Sequence, residues 1–246
     1  VGRILLPQLA QMVLSKPYLQ HAGRKSFTPL ARSFSLRSGD ISAVDAFAKL
    51  ERRGVVAVQG ADATKFLHGL TTNDMAIPLG AAVYTNFLEP KGRLVFDCVA
   101  YRTPDSPNES PCYLLDCTAS ESGSVVRQLA KFKIRSKVQI TDVSDQFEVW
   151  VVLGTGADNV AKQFNGRMFP DPRNARLGFR GLFPKGETPT FAGGLQQCSE
   201  DAYETFRMLQ GAFESPIEMP PSTFPLEANL NFYHGVSFTK GCYVGQ

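Results

Sequence analysis

The densest chemistry in the chain lies in one run, Lys240-Gly241-Cys242-Tyr243-Val244-Gly245-Gln246. A thiol sits between two glycines, where the backbone is free to turn sharply or to approach a partner closely. The charge of Lys240, two residues upstream, favours thiolate over thiol, and thiolate is both the nucleophile and the metal ligand. Thiolate is also the soft ligand that iron–sulfur clusters take, which makes Cys242 the candidate ligand for a transient cluster. The same run also reads as a glycine-rich turn around a buried structural cysteine, because free cysteine is commonly buried. Both readings stand on sequence alone.

Other residues carry weaker signals. Asp97, in Val95-Phe96-Asp97-Cys98, suits a hydrogen bond to a ring or an amine, and equally suits an outward-facing strand position. Cys112 and Cys117 show one interval of a plant-type cluster pattern, but no third cysteine follows two residues later, so they read as core. His68 and His234 have no metal-ligand spacing. His68 reads as structural, whereas His234 is close enough in sequence to reach Cys242. Gly154-Thr155-Gly156 lacks the further glycines of a dinucleotide fingerprint. Lys131, Lys133, Arg135 and Lys137 alternate with Phe132 and Ile134 and read as a solvated face, or as a contact for an acidic tail or a phosphate.

These residues need elements to position them. Apolar spacing predicts helices over 43–53, 61–70, 118–133, 158–164 and 199–210. Thr118 followed by Glu121 is a capping-box pattern, Gly211 stops the last helix, and Tyr203, Phe206 and Leu209 are expected to line its buried side. Strands are predicted at 55–58, 82–88, 94–101, 112–116, 137–143, 147–153 and, more weakly, 177–182. Glu89-Pro90-Lys91-Gly92 is turn chemistry that joins two of them as a hairpin. Residues 103–111 read as a proline-rich loop and 214–224 as a linker. The irregular alternation, with several antiparallel pairs, predicts an α+β fold and not a doubly wound parallel sheet.

Composition excludes some classes. With 43% hydrophobic and 20% charged residues the 246-residue chain is globular in type. The longest apolar run, Val149 to Leu153, has the length of a strand, so no membrane span is expected. Residues 1–38 contain Arg3, Lys16, Arg24, Lys25, Arg32 and Arg37 and no acid. That Arg- and Ser-rich, acid-free segment is expected to be a mitochondrial transit peptide. Without those six, 20 basic residues face 23 acidic ones, so net charge does not point to nucleic acid. Five cysteines do not read as a disulfide framework.

The cysteine run resembles the signature of the folate-binding family of the glycine-cleavage T-protein, the aminomethyltransferase-like family, which includes mitochondrial and bacterial iron–sulfur cluster factors. Upstream, Tyr203, Arg207, Gly211, Glu214 and Glu218, then Pro225-Leu226-Glu227-Ala228-Asn229-Leu230, resemble the family's approach to that signature. Phe66-Leu67-His68-Gly69-Leu70-Thr71-Thr72-Asn73-Asp74 resembles its first block. Tyr84-Thr85-Asn86-Phe87-Leu88 with Lys91-Gly92-Arg93-Leu94 through Asp97 resembles its second. The likeness extends over residues 42–246.

The resemblance implies an α+β, T-protein-like folate-binding fold with mixed, largely antiparallel sheets, and a last barrel-like part expected beyond Gln246. It implies a tetrahydrofolate-type ligand near Asn73, Asn86, Asp97, Arg207, Glu227 and Asn229. Cys242 is then the working residue, supported by Lys240, Gly241, Tyr243, Gly245 and Gln246. The implied role is late maturation of 4Fe–4S proteins in the mitochondrial matrix, with A-type iron–sulfur carriers and 4Fe–4S client enzymes as partners. The T-protein has an Asp-Asp pair where this chain has Asp97-Cys98, and it lacks the cysteine signature. Aminomethyl transfer is therefore the alternative activity.

Overall fold

In the computed structural model, the structure describes residues 45–103, 110–164, 166–191, 194–214, 218–220 and 222–246. The expected transit peptide, most of the proline-rich loop and part of the expected linker lie outside them.

Among the described residues, ten strands form two five-stranded sheets. The first has the order β3-β4-β5-β2-β6, from β2 (Arg53–Gln59), β3 (Ala82–Leu88), β4 (Leu94–Thr103), β5 (Cys112–Thr118) and β6 (Gln139–Asp142). The second has the order β10-β1-β7-β9-β8, from β1 (Ala46–Leu50), β7 (Phe147–Leu153), β8 (Met168–Pro170), β9 (Phe179–Pro184) and β10 (Gln196–Gln197). Pairing is antiparallel except between β1 and β10. The expectation of a mixed, largely antiparallel α+β fold is met.

The sheets face each other across one core. Val55, Tyr84, Val99 and Leu114 from the first meet Leu50, Val149, Val151 and Leu182 from the second. Helix α4 (Glu200–Leu209) adds Tyr203 and Phe206 to that layer. On the outer face of the first sheet, α1 (Ala63–His68) and α2 (Ser122–Phe132) bury Phe66, Leu67, Val125 and Leu129 against Val56, Phe87 and Leu115. On the outer face of the second, α3 (Ala157–Gln163) packs Val160 and Ala161 on Trp150 and Phe183. Covering both outer faces lets the central strands be apolar on both sides.

Three expectations are corrected. Residues 46–50 form strand β1 and not a helix. Ala46, Ala48 and Leu50 alternate inward while Phe47 stacks outward at 4.6 Å from Phe191, so a period of two, set by pairing with β7, overrides the helical spacing. Leu209 is 59% exposed and does not join Tyr203 and Phe206 in the core. The capping box does not form either: residues 119–121 make a 3-10 turn, and Thr118 makes no side-chain cap bond there. By contrast Ser199 caps α4 through the amide of Ala202, and Gly211, at φ +76°, ends it.

Candidate functional site

The three sequence blocks converge. Residues 234–246 lie as a strap across the loop that links α1 to β3 and against the β3–β4 hairpin. Helix α1 ends at His68, and the carbonyl of that residue, with those of the loop that follows, takes its partners from the strap. The amide of Val244 donates to the Gly69 carbonyl at 3.1 Å, and that of Ser237 to the Thr72 carbonyl at 2.9 Å. The Lys240 ammonium donates to the carbonyls of His68 at 2.5 Å, Thr71 at 2.6 Å and Asn73 at 3.0 Å. Five of the six carbonyls from residue 68 to residue 73 are thus held by strap residues.

Side chains of the loop reach back. Thr72 donates to the Gly235 carbonyl at 2.6 Å. Asn73 donates to the carbonyls of Tyr84 at 2.9 Å and His234 at 2.5 Å, so its amide is committed to joining loop, sheet and strap. His68 faces Asp74 at 3.0 Å.

The strap is anchored by two neighbours that point to opposite cores. Tyr243 packs against the inter-sheet core and Val244 against the outer one. The Lys240 ammonium also lies 4.8 Å from the Tyr243 ring centroid, a cation–π distance. Burial pushes the Lys240 amine down to about 8, with Asp74 acting the other way. The two glycines of the motif differ. A Cβ on Gly245 (φ +82°) would lie 2.4 Å from the Glu89 carbonyl oxygen and 2.6 Å from the Leu88 Cβ, whereas one on Gly241 would meet open space. Gly245 is what lets the strap pass the hairpin. The Gln246 side-chain oxygen accepts from the Tyr243 amide at 3.3 Å and closes the turn. Cys242 stands exposed between these anchors.

Beneath the strap, β3 and β4 pair Asn86 with Asp97 on the face toward the second sheet. Asn86 is 0% exposed, and neither its amide nitrogen nor its amide oxygen has a hydrogen-bond partner. A Cβ on Gly235 would lie 3.0 Å from that nitrogen, so the strap closes directly over it. Asp97 is 1% exposed. Burial raises its carboxyl to about 6, Arg53 and Arg173 oppose the rise, Glu214 adds to it, and Tyr84 hydrogen-bonds the carboxylate.

Next to Asp97 lies a buried ionic network that sequence reasoning missed. Arg53 bonds Asp116 at 2.6 Å and Glu214 at 2.7 Å. Arg173 bonds Asp171 and Glu214, each at 2.8 Å. Arg180, on the second sheet, pairs with Asp116 on the first, and its Nε donates to the Tyr101 hydroxyl at 3.1 Å. Burial works against the Glu214 carboxylate, but Arg53, Arg173 and Arg207 outweigh it and hold it well below the usual range. Arg207 is itself bound by Glu204 and Glu218 and by the Ala212 carbonyl at 2.5 Å. The arginines sit one each on β2, a turn, β9 and α4, so no local pattern announces them.

The remaining sequence candidates are scattered. Glu227 caps its own turn through the Phe224 amide at 2.8 Å, and Asn229 is exposed at φ +56°. His234 is exposed, and its carbonyl serves Asn73. Cys98, Cys112 and Cys117 are buried. Among the described residues, no three His, Cys, Asp or Glu side chains group as a metal site, and no helix is long and apolar enough to cross a membrane.

Comparison with known proteins places this geometry. The chain is 35% identical over 236 residues to the mitochondrial iron–sulfur cluster assembly factor IBA57 of Mus musculus, covering 88% of this chain and 65% of that protein. It is 35% identical over 211 residues to the mitochondrial homologue of that factor in Mycosarcoma maydis, covering 81% and 51%. It therefore spans about half to two thirds of the length of these relatives. Among solved structures, aminomethyltransferase T of the glycine cleavage system from Bartonella henselae aligns at 15% identity with a TM-score of 0.48, covering 60% of this chain and 44% of that one. The GCVT N-terminal domain matches residues 47–181, more than half of the chain. That match takes in the first sheet and most of the second: the chain belongs to the family of the GCVT N-terminal domain.

Proposed function

We propose that this chain is part of a mitochondrial iron–sulfur cluster assembly factor, acting in the matrix on the maturation of 4Fe–4S proteins, with Cys242 as its working thiol. The observation that carries this reading is the exposed thiol on a strap seated by the other two family-like blocks. The names of the relatives, which print iron–sulfur cluster assembly and the mitochondrion, support the coarser part of this reading. Protein-held clusters take several thiolates; Cys242 is the exposed thiol among the described residues, and we read the cluster as cargo. Its other ligands come from a partner, for which A-type carriers and 4Fe–4S client enzymes are the fitting classes.

The chemistry of the Asn86–Asp97 pair suits a tetrahydrofolate-type ligand, which could reach it only with the strap lifted from Asn86. The Asn86 amide has a free donor and a free acceptor, the complement of a pterin edge. Asp97 adds a carboxyl beside it on the paired strand. When bound, such a ligand supplies a carbon-carrying amine. Asn86 would orient the ring, and Asp97 would hold or release a proton. Asn73, Arg207 and Glu227 are committed to internal bonds and serve the scaffold around that face.

The deciding experiment is 4Fe–4S enzyme activity, such as aconitase, in cells lacking the gene and supplied with the full-length protein. Wild type is expected to restore activity and Cys242→Ser, at equal abundance, to fail. Equal rescue by both would end the thiol reading. One observation favours a second reading, a folate-dependent one-carbon transferase: Asp97, raised to about 6, exchanges a proton near neutral pH. Methylene-tetrahydrofolate formation from an amine donor, lost in Asp97→Asn, would establish it.

A further inference from the structure

We propose that Lys240 is a positioning residue for Cys242: its ammonium fastens the strap to the end of α1 as a three-point clasp. This rests on the reading of Cys242 as the working thiol.

The geometry distinguishes a clasp from an acidifying neighbour. An ammonium has three protons, and three backbone carbonyls lie around this one, at 2.5, 2.6 and 3.0 Å. Those carbonyls belong to the last residue of a short helix and the loop that leaves it. There unpaired oxygens and the helix dipole both favour a cation. Lys240 therefore serves as the helix's C-terminal cap, supplied from about 170 residues away. The charged groups around it are Asp74, which favours the ammonium, and the His68 ring, which pairs with Asp74. The Tyr243 ring lies alongside, and among the described residues no carboxylate forms an ion pair with the ammonium. Two residues on, Cys242 projects from the stretch that this clasp and the Val244–Gly69 bond pin at either side.

A clasp and a charge make different demands on the residue. A guanidinium keeps the charge but spreads its protons over a planar fork, which does not match three carbonyls converging on one atom. The test uses the full chain with Cys198→Ser, which removes the half-buried thiol and leaves Cys242 as the exposed one. Lys240→Met and Lys240→Arg are compared with the parent by iodoacetamide labelling of Cys242 against pH and by amide hydrogen exchange at Ser237 and Val244.

Both variants are expected to speed exchange at those two amides by about tenfold or more, the mark of a local opening. The pH midpoint of labelling is expected to stay with the parent in both. A midpoint that rises in Lys240→Met and returns in Lys240→Arg would overturn the clasp in favour of the charge. Unchanged exchange in both variants would overturn it as well. Neither readout depends on cluster assembly, so a Cys242→Ser protein that still rescues cells would count against the thiol and leave the clasp standing.

Discussion

Between the two sheets every buried arginine of the described residues meets a carboxylate, while on the strap the half-buried Lys240 meets backbone carbonyls. Both regions hold a cation away from water, but with different consequences. A buried ion pair carries a large desolvation cost and tolerates one geometry, so losing a partner strands a charge. Carbonyls at a helix end are satisfied again by water once the cation leaves, so a strap held by them can open. The first arrangement fixes how two sheets stack. The second seats a segment carrying an exposed thiol through bonds that water can replace. The contrast predicts that damage to the network is global and damage to the strap is local.

The largest effect is expected from Asp116→Ala, which removes the carboxylate that Arg53 and Arg180 share and leaves Arg53 to Glu214 and Arg180 to Asp171. It should cost about 3–5 kcal/mol in urea unfolding. A loss below about 1 kcal/mol would erase the distinction between the two regions.

Asp97→Asn sharpens the comparison through pH. The Asp97 carboxyl is raised from 3.8 to about 6. Between those values the folded chain keeps a proton that the unfolded chain has released, so this group lowers stability as pH rises through the window. The depressed Glu214 acts in the opposite sense, its contribution being lost as pH falls below the ordinary carboxylate range. In Asp97→Asn the decline between about pH 4 and pH 6 should shrink, by up to about 3 kcal/mol. Thermal melts of both proteins across that range would show it, and parallel profiles would remove Asp97 from the account.

Gly245→Ala should act on the strap alone. The positive φ and the contact with Glu89 make it unfavourable by about 1–3 kcal/mol. The expected readout is faster proteolysis and amide exchange in residues 234–246 with little change in the global melt. Gly241→Ala, whose new methyl meets open space, should do neither. The smallest effect on stability belongs to Cys242→Ser, within about 0.5 kcal/mol for an exposed side chain. A larger loss would mean that the thiol is structural.

Much of this was legible residue by residue. The β3–β4 hairpin follows from its turn chemistry, α4 from its serine cap and terminating glycine, and β7 from its unbroken apolar run, because each depends on local bonds. The stretch at 46–50 was misread because Phe47 packs outward against Phe191 while its neighbours pack inward, and only the partner strand decides which period applies. Cys242 stood out by its glycine-flanked setting, and its exposure was one of two readings that sequence left open. Sequence places the Lys240 charge two residues from the thiol; that its ammonium also reaches the carbonyls of His68, Thr71 and Asn73 is visible only in the fold.

The sequence by itself determined the class of fold, most of the elements, the thiol and the three family-like blocks, because those are properties of short windows. Tertiary structure alone decided that the blocks meet. It also placed Asn86 unpartnered under Gly235, made Arg53, Arg173 and Arg180 the ionic link between the sheets, and turned Lys240 into a cap for a distant helix. The reason is physical. A hydrogen bond or ion pair needs two groups in space, and a residue's own sequence neighbourhood holds only one of them.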